Sequence, residues 1–207
     1  MCALIILTGP KHSGKTTAGK ALANRCGGTF IDLDELVQER AGKSPRTLFK
    51  AGPGVFRKVE TEALQSLINA KADGDAPGQG GHEGGSLRIV AAGGGLVDNS
   101  PALALLRNSG AAIHTTGAAI HTTGAVTLVY LEVSVETAWE RIRASAEKTG
   151  ELPPFLNTDD PQETHRLLHE RRAVAYREIA GVIVQADGKS PEEIGEELFA
   201  RVICGSS

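Results

Sequence analysis

Short apolar runs alternate with helix-forming segments along most of this chain. The runs rich in aliphatic residues predict strands at 3–8, 28–32, 87–92, 126–132 and 181–185. The segments between and after them predict helices at 15–26, 34–40, 54–70, 134–147, 161–180 and 191–203. This alternation is typical of a parallel sheet that binds ligands at the carboxyl ends of its strands. We therefore predict an α/β fold of three layers, a five-stranded parallel sheet with helices on both faces.

Two segments interrupt the alternation. Residues 71–86 hold six glycines and no large apolar side chain, which predicts a flexible surface insertion. Residues 110–116 are repeated at 117–123, inside a second predicted insertion at 108–125. Two copies are too few for a solenoid, and lengthening a loop costs little free energy, so we interpret the repeat as a local duplication tolerated in a loop.

Composition and charge narrow the class of protein. The 207 residues, 41% of them hydrophobic, suit a single domain over 1–207. The net charge of −3, with both signs interspersed, argues against a nucleic acid or a membrane surface as the partner. The three cysteines are far apart and are predicted to be free thiols in a reducing compartment. Since no apolar stretch approaches the ~20 residues of a membrane span, we expect a cytoplasmic protein.

The segment from Gly9 to Thr16 matches the phosphate-binding pattern G-x-x-x-x-G-K-[ST] at every fixed position. It lies between the first predicted strand and a predicted helix, which is the context the pattern requires. In such a loop backbone N–H groups and the lysine bind phosphates, while the hydroxyl binds Mg²⁺. We expect a nucleoside triphosphate and Mg²⁺ as cofactors, bound through Gly9, Lys11, His12, Ser13, Gly14, Lys15, Thr16 and Thr17.

Two carboxylates, Asp32 and Asp34, follow the second predicted strand. They lie at the carboxyl edge of the sheet, beside the phosphate-binding loop, where they suit Mg²⁺ and the handling of a hydroxyl group. Asp34 also suits the N-cap of the next helix, a role that is compatible with function.

Arg57 and Glu60 have helical i,i+3 spacing, which allows the carboxylate to fix the guanidinium group. Taken alone, the pair favours a surface ion pair without a role in binding. Gly93, Gly94 and Gly95 follow the third predicted strand, and three successive glycines there let a small anion approach bare backbone N–H groups.

A long helix is predicted to begin at Pro161, with Asp160 as N-cap and Glu163 completing a capping box. His165 and His169 on this helix have the i,i+4 spacing of metal ligands. Because no third ligand is evident, we predict a solvated helix face rather than a metal site.

Four motifs taken together resemble the shikimate kinase family of small-metabolite kinases built on the phosphate-loop fold. They are Asp32-x-Asp34, Phe56-Arg57-x-x-Glu60, Gly93-Gly94-Gly95 and Arg172-x-x-x-Tyr176, and the resemblance covers most of residues 3–203. It implies transfer of the γ-phosphoryl group of ATP to a ring hydroxyl of shikimate, a small-molecule acceptor.

The resemblance also implies roles for individual residues. Lys15 and Asp34 would be catalytic, with Asp34 on the acceptor hydroxyls and Asp32 joining Thr16 at Mg²⁺. Arg57, oriented by Glu60, and Arg172 would bind the acceptor carboxylate, above the glycines at 93–95. Arg141, placed at the end of the helix after the fourth strand, resembles an arginine that packs on adenine.

One departure from the family concerns the predicted lid at 146–160. The family carries an R-P-L-L motif there, and its arginine reaches the transferring phosphate. This chain has Pro153 at the corresponding position. We expect Lys148 or Arg143 to replace the missing cation; the alternative is that the changed lid marks a changed acceptor.

The sequence alone is also compatible with two other functions. One is a related kinase for another carboxylate or polyol, such as gluconate. The other is a nucleotide-binding protein without kinase activity.

Overall fold

A computed structural model describes residues 4–70, 87–109 and 126–205 of the chain. The glycine-rich insertion at 71–86 and the duplication at 110–123 lie outside these residues. The strands are β1 (Leu4–Thr8), β2 (Thr29–Asp32), β3 (Arg88–Ala91), β4 (Val126–Glu132) and β5 (Val182–Gln185). They form one sheet in the order β2-β3-β1-β4-β5, and every neighbouring pair is parallel. The predicted five-stranded parallel sheet is confirmed.

Helices lie between and after the strands. They are α1 (Lys15–Cys26), α2 (Leu33–Ala41), α3 (Pro45–Ala51), α4 (Pro53–Asn69), α5 (Ser100–Asn108), α6 (Val135–Thr149), α7 (Pro161–Ile179) and α8 (Pro191–Leu198). Two 3₁₀ turns, Leu96–Asp98 and Pro154–Leu156, and a π-helical turn, Phe199–Ile203, complete the elements. In the described residues no helix is long and apolar enough to cross a membrane.

The sequence analysis missed α3 and α5, although each begins with a recognisable signal. The hydroxyl of Ser44 caps α3 and Pro45 follows at its first position. Asn99 caps α5 in the same way, with a proline in the first turn. The helix predicted over 191–203 is also shorter, because regular α-helix ends at Leu198.

Alternate side chains of the central strands enter two separate hydrophobic cores, as the period of a strand requires. Ile5 and Leu7 of β1 pack against the face that carries α1 and α8. Leu4 and Ile6 pack against the opposite face, with α2, α4, α5 and α7. Both faces of the sheet are therefore covered, which confirms the three-layer α/β architecture.

The sheet order brings the candidate chemistry to one edge. Pairing of Leu7 and Asp32 with Ala91 aligns the carboxyl ends of β1, β2 and β3. The phosphate-binding loop, the two acids and the glycines each follow one of these three strands, so they emerge side by side.

Two of the three cysteines lie in the described residues. Cys26 and Cys204 are both free thiols, as the spacing predicted.

Candidate active site

The phosphate-binding loop leaves β1 through a backbone conformation that requires glycine. Gly9 has φ +141°, and a Cβ there would lie 2.5 Å from the carbonyl oxygen of Leu131 on β4. Gly14 then leads directly into α1, whose first residue is Lys15. The N-terminus of α1, with its free N–H groups, consequently faces the interior of the loop, a favourable position for an anion.

Lys15 spans the loop. Its ammonium donates hydrogen bonds to the carbonyl oxygens of Gly9 and Pro10, at 3.0 and 2.6 Å, and to the hydroxyl of Ser13 at 3.3 Å. Burial lowers the pKa of Lys15 to about 8, against the attraction of Asp34 and Asp32. A cation that has already lost most of its hydration interacts strongly with an incoming phosphate.

Thr16 and Asp32 meet beside Lys15. The Thr16 hydroxyl donates to Asp32 Oδ2 at 3.3 Å, so two hard oxygens are close together. This pair fits Mg²⁺, which takes one or two protein oxygens and completes its shell with phosphate and water. In the described ranges no group of three or more His, Cys, Asp or Glu side chains forms a larger metal site.

The N-cap of α2 is Asp32 rather than Asp34, the residue that the sequence suggested. Oδ1 of Asp32 accepts from the backbone N–H of Asp34 at 3.0 Å, so Asp34 itself lies in the first turn of the helix. Burial, helped by the neighbouring charge of Asp32, raises the pKa of Asp34. A carboxylate with a raised pKa is a better proton acceptor than an exposed aspartate.

The three glycines after β3 each lie against a different part of the site. A Cβ on Gly93 would come within 3.3 Å of Asp34 Oδ1. One on Gly94 would come within 3.1 Å of the backbone nitrogen of Lys11, in the phosphate-binding loop. One on Gly95 would come within 3.3 Å of an Arg172 nitrogen. The absence of side chains at these glycines therefore lets Asp34, the phosphate-binding loop and Arg172 all approach the same stretch of backbone.

The side chain of Glu60 has a different partner from the one that the sequence predicted. Its side chain is 1% exposed, which excludes a surface ion pair, and Oε2 accepts from the Asn99 amide at 2.8 Å. Arg57 opposes the rise in the pKa of Glu60, but no hydrogen bond or ion pair joins the two in the described residues. Burial dominates and raises that pKa to about 7. Asn99, therefore, and not Arg57, is the direct partner of Glu60.

Arg172 is held by Asp98, a residue that the sequence analysis missed. Its Nε and Nη2 donate to Asp98 Oδ2 at 3.0 and 2.6 Å, and Arg171 donates to Oδ1 at 2.8 Å. The bonds fix the plane of the Arg172 guanidinium next to Gly95. The only sequence signal was the acid and amide pair at 98–99, close behind the glycines.

Arg141 contacts the loop rather than lying at a helix end. It sits in the middle of α6, and Nη1 donates to the carbonyl oxygen of His12 at 2.9 Å. His12 has φ +62°, and its Nε2 is buried with no hydrogen-bond partner among the described residues. Burial, followed by the nearby charges of Lys11, Lys15 and Arg141, lowers the pKa of His12.

The prediction of a solvated face at His165 and His169 is wrong. The two residues are 4% and 8% exposed, because this face of α7 packs toward α6 and the end of β4. The His165 ring lies 5.5 Å from those of Trp139 and His169, and His169 Nε2 is 3.1 Å from the carbonyl oxygen of Val133. Burial lowers the pKa of both, that of His165 to about 4.

The segment predicted as a lid begins within α6, which continues to Thr149, and includes a 3₁₀ turn around Phe155. The Phe155 ring lies 5.8 Å from the Arg172 guanidinium carbon. Both residues, with Lys11, border a small cavity of about 30 Å³. Asp160 caps α7 as predicted, but Glu163 binds Arg166 instead of completing a capping box.

A parallel α/β sheet with a phosphate-binding loop after β1, and with acids and arginines around that loop, defines a phosphotransferase of the phosphate-loop class. The model of the family "Shikimate kinase" matches residues 11–203. The chain belongs to the shikimate kinase family, phosphotransferases with a hydroxyl acceptor that use ATP as the phosphate donor.

Individual relatives support this assignment. The shikimate kinase of Geobacter sulfurreducens is 33% identical over 94% of this chain and 87% of that protein. The shikimate kinase of Nitrosospira multiformis is 30% identical over 98% of this chain and 86% of its own. The solved structure of shikimate kinase from Acinetobacter baumannii in complex with shikimate has a TM-score of 0.73, over 99% of this chain and 94% of that one. At 22% identity, that similarity shows a shared fold.

Proposed function

We propose that this chain transfers the γ-phosphoryl group of ATP, with Mg²⁺, to a ring hydroxyl of shikimate. One observation carries the proposal: the three glycines after β3 lie against Asp34, the phosphate-binding loop and Arg172. Membership of the family favours shikimate as the acceptor.

At the donor end, the residues from Gly9 to Thr17 hold the phosphates. The N-terminus of α1 and the desolvated ammonium of Lys15 neutralise the phosphate charge. Thr16 and Asp32 hold Mg²⁺, which supplies further charge neutralisation when it is bound. Arg141 packs on the adenine from its position against the loop, since its bond to His12 fixes one end of the guanidinium.

At the acceptor end, Asp34 accepts the proton of the attacking hydroxyl, and its raised pKa suits that task. Arg57 and Arg172 bind the acceptor carboxylate, for which a planar guanidinium is the matching donor. Arg172 directs two of its five N–H groups to Asp98, so others remain for the acceptor.

The remaining parts of the proposal concern the whole chain. Residues 1–207 form one kinase domain, and 146–160 act as a lid that excludes water from the transferring group. The partner is a small molecule, not a nucleic acid or a membrane, and the protein works in the cytoplasm.

The test is ADP release from ATP and Mg²⁺ with shikimate, quinate or gluconate as the acceptor. We expect strong stimulation by shikimate alone. A response to gluconate or quinate instead would assign a different acceptor. ATP binding without a response to any acceptor would favour a nucleotide-binding protein without kinase activity.

Arg57→Ala tests the acceptor site within the same assay. We expect a KM for shikimate raised about 100-fold, the scale of a lost charge-assisted contact, with the affinity for ATP unchanged. Lys58→Ala is the matched control, because Lys58 is the exposed neighbour on the same helix. An equal loss of ATP affinity in Arg57→Ala would contradict the assignment of Arg57 to the acceptor.

A further inference from the structure

The part of the predicted lid that follows α6 carries no positive charge. Residues 150–160 contain no lysine or arginine, but they contain Glu151, Asp159 and Asp160. The carboxylate of Glu151 forms an ion pair with Arg46 of α3. Phosphoryl transfer nevertheless gathers negative charge at the transferring group and needs cations around it.

Lys11 is a cation of the phosphate-binding loop that lies at this segment. It borders the same small cavity as Phe155 of the 3₁₀ turn and Arg172 of α7. Its backbone packs closely on the glycine run, since its nitrogen lies 3.1 Å from the position that a Cβ on Gly94 would take. The side chain itself is exposed.

Lys11 differs from Lys15 in the partners of its ammonium. Within the described residues, Lys15 is tied to loop oxygens, whereas the Lys11 ammonium has neither an ion pair nor a hydrogen bond. Lys11 is thus a cation that borders the cavity beside Phe155 and Arg172 and remains available to a ligand.

The two α6 cations considered from the sequence are placed less favourably. Arg143 lies two positions after Arg141, so it points away from the face that contacts the loop. Lys148 lies seven positions after Arg141 and shares its face, but it is about 10 Å further along the helix. Both side chains are exposed.

We propose that Lys11 is a catalytic residue, whose ammonium contacts the oxygens of the phosphoryl group during transfer, opposite Lys15. The inference rests on the proposed kinase function. The acceptor oxygen forms a bond to the γ-phosphorus as the bond to the β,γ-bridging oxygen breaks. The hydroxyl proton passes to Asp34, and ADP leaves with the electron pair. Lys11 keeps its proton throughout and supplies charge only.

The test compares Lys11→Met and Lys11→Arg with Lys148→Met and Arg143→Met. The matched control is Lys43→Met, which removes an exposed lysine from the loop after α2. For each protein we would measure kcat and KM with shikimate, and the affinities for ATP, ADP and ADP with aluminium fluoride, all in magnesium chloride. The aluminium fluoride complex imitates the transferring group and needs no turnover.

We expect Lys11→Met to lower kcat about 10³-fold, the lower end of the range for a cation on a transferring phosphoryl group. Its affinity for ADP with aluminium fluoride should fall by a similar factor, and by at least tenfold more than its affinities for ATP and ADP. Lys11→Arg should restore most of both losses, and Lys43→Met should match wild type.

Three results would overturn the assignment of Lys11. They are a Lys11→Met enzyme within threefold of wild type, a loss confined to KM, and the large loss of kcat in Lys148→Met or Arg143→Met instead. If wild type fails to turn over shikimate, the proposed acceptor is wrong. The affinity for ADP with aluminium fluoride then still decides the role of Lys11.

Discussion

The side-chain amide of Asn99 donates a hydrogen bond of 2.8 Å to the buried carboxylate of Glu60. The same amide also donates to the carbonyl oxygen of Arg57 at 2.9 Å, and Asn99 Oδ1 caps α5. One side chain thus joins the turn after the three glycines to α4 and α5. It places Glu60 beside Gly93 and Asp34, in surroundings where a charged carboxylate is poorly solvated.

Glu60→Gln removes the buried carboxylate. Comparing the stability of this variant with that of wild type at several pH values tests what the burial of Glu60 costs. The pKa of Glu60 is raised to about 7 in the folded protein, so between its ordinary value of 4.5 and about 7 the folded state binds the extra proton. Stability from this group is therefore lost as pH rises through that window. We expect wild type to lose about 3 kcal/mol relative to Glu60→Gln between pH 4.5 and pH 7.

Urea denaturation at several pH values measures this difference. Glu62→Gln is the control, because Glu62 is exposed two positions further along the same helix. Parallel stability curves for wild type and Glu60→Gln would show that Glu60 titrates normally.

At His165 we expect the stability of the folded protein to depend on pH in the opposite direction, which His165→Phe tests. Burial lowers the pKa of His165 to about 4, so the unfolded chain binds the extra proton between about pH 6.5 and pH 4. The folded state is therefore destabilised as pH falls through this window. We expect wild type to lose about 3 kcal/mol relative to His165→Phe on acidification, measured by urea denaturation at pH 7 and pH 4. An equal loss in both proteins would mean that His165 becomes protonated while folded.

Lys15→Arg separates the charge of Lys15 from its titration. The pKa of Lys15 in the free protein is lowered to about 8, so the ammonium is lost as pH rises through that value. We expect the affinity of wild type for ATP and Mg²⁺ to fall by up to about tenfold per pH unit above 8. Arginine stays protonated, so Lys15→Arg should bind more weakly at pH 7 but with a flat profile to pH 10. Calorimetric titrations would check this, and equal slopes in both proteins would exclude Lys15 as the titrating group.

Single alanines in the glycine run should separate the two halves of the site. The Cβ of Gly94→Ala meets backbone atoms of Lys11 and Gly9, at 3.1 and 3.3 Å, which can yield only if the loop moves. The Cβ of Gly95→Ala meets the end of the Arg172 side chain. We expect Gly94→Ala to lower the affinity for ATP about tenfold or more, and Gly95→Ala to raise chiefly the KM for the acceptor. Equal effects of both variants on both ligands would mean that the run acts as one structural unit.

Most of the fold could be predicted from local patterns, because its strands are apolar runs and its long helices carry clear boundary signals. The helix α3 was missed since its seven residues are too few for a period to emerge, and only Ser44 with Pro45 marked its start. His165 and His169 were misplaced for a different reason. Two imidazoles on a helix fit a solvated surface and a packed interface equally well, and only the position of α6 decides between them.

The candidate site, like the fold, has parts that could be predicted from the sequence and parts that could not. The phosphate-binding loop and the glycine run could be predicted, because each is a continuous stretch with its own chemistry. Asp98 and Asn99 could not, since their partners lie 74 and 39 positions away along the chain. Spacing within one helix suggested Arg57 as the partner of Glu60, but a residue from another element took that place.

The contact of Phe155 with Arg172 has a consequence for how the two substrates influence each other. Arg172 is hydrogen-bonded to Asp98 and lies near the ring of Phe155, so a displacement of that ring changes the surroundings of the guanidinium that we propose for the acceptor carboxylate. If the nucleotide alters the position of Phe155, it must change the affinity for the acceptor, and the acceptor must change that for the nucleotide by the same factor. The two substrates would then bind cooperatively.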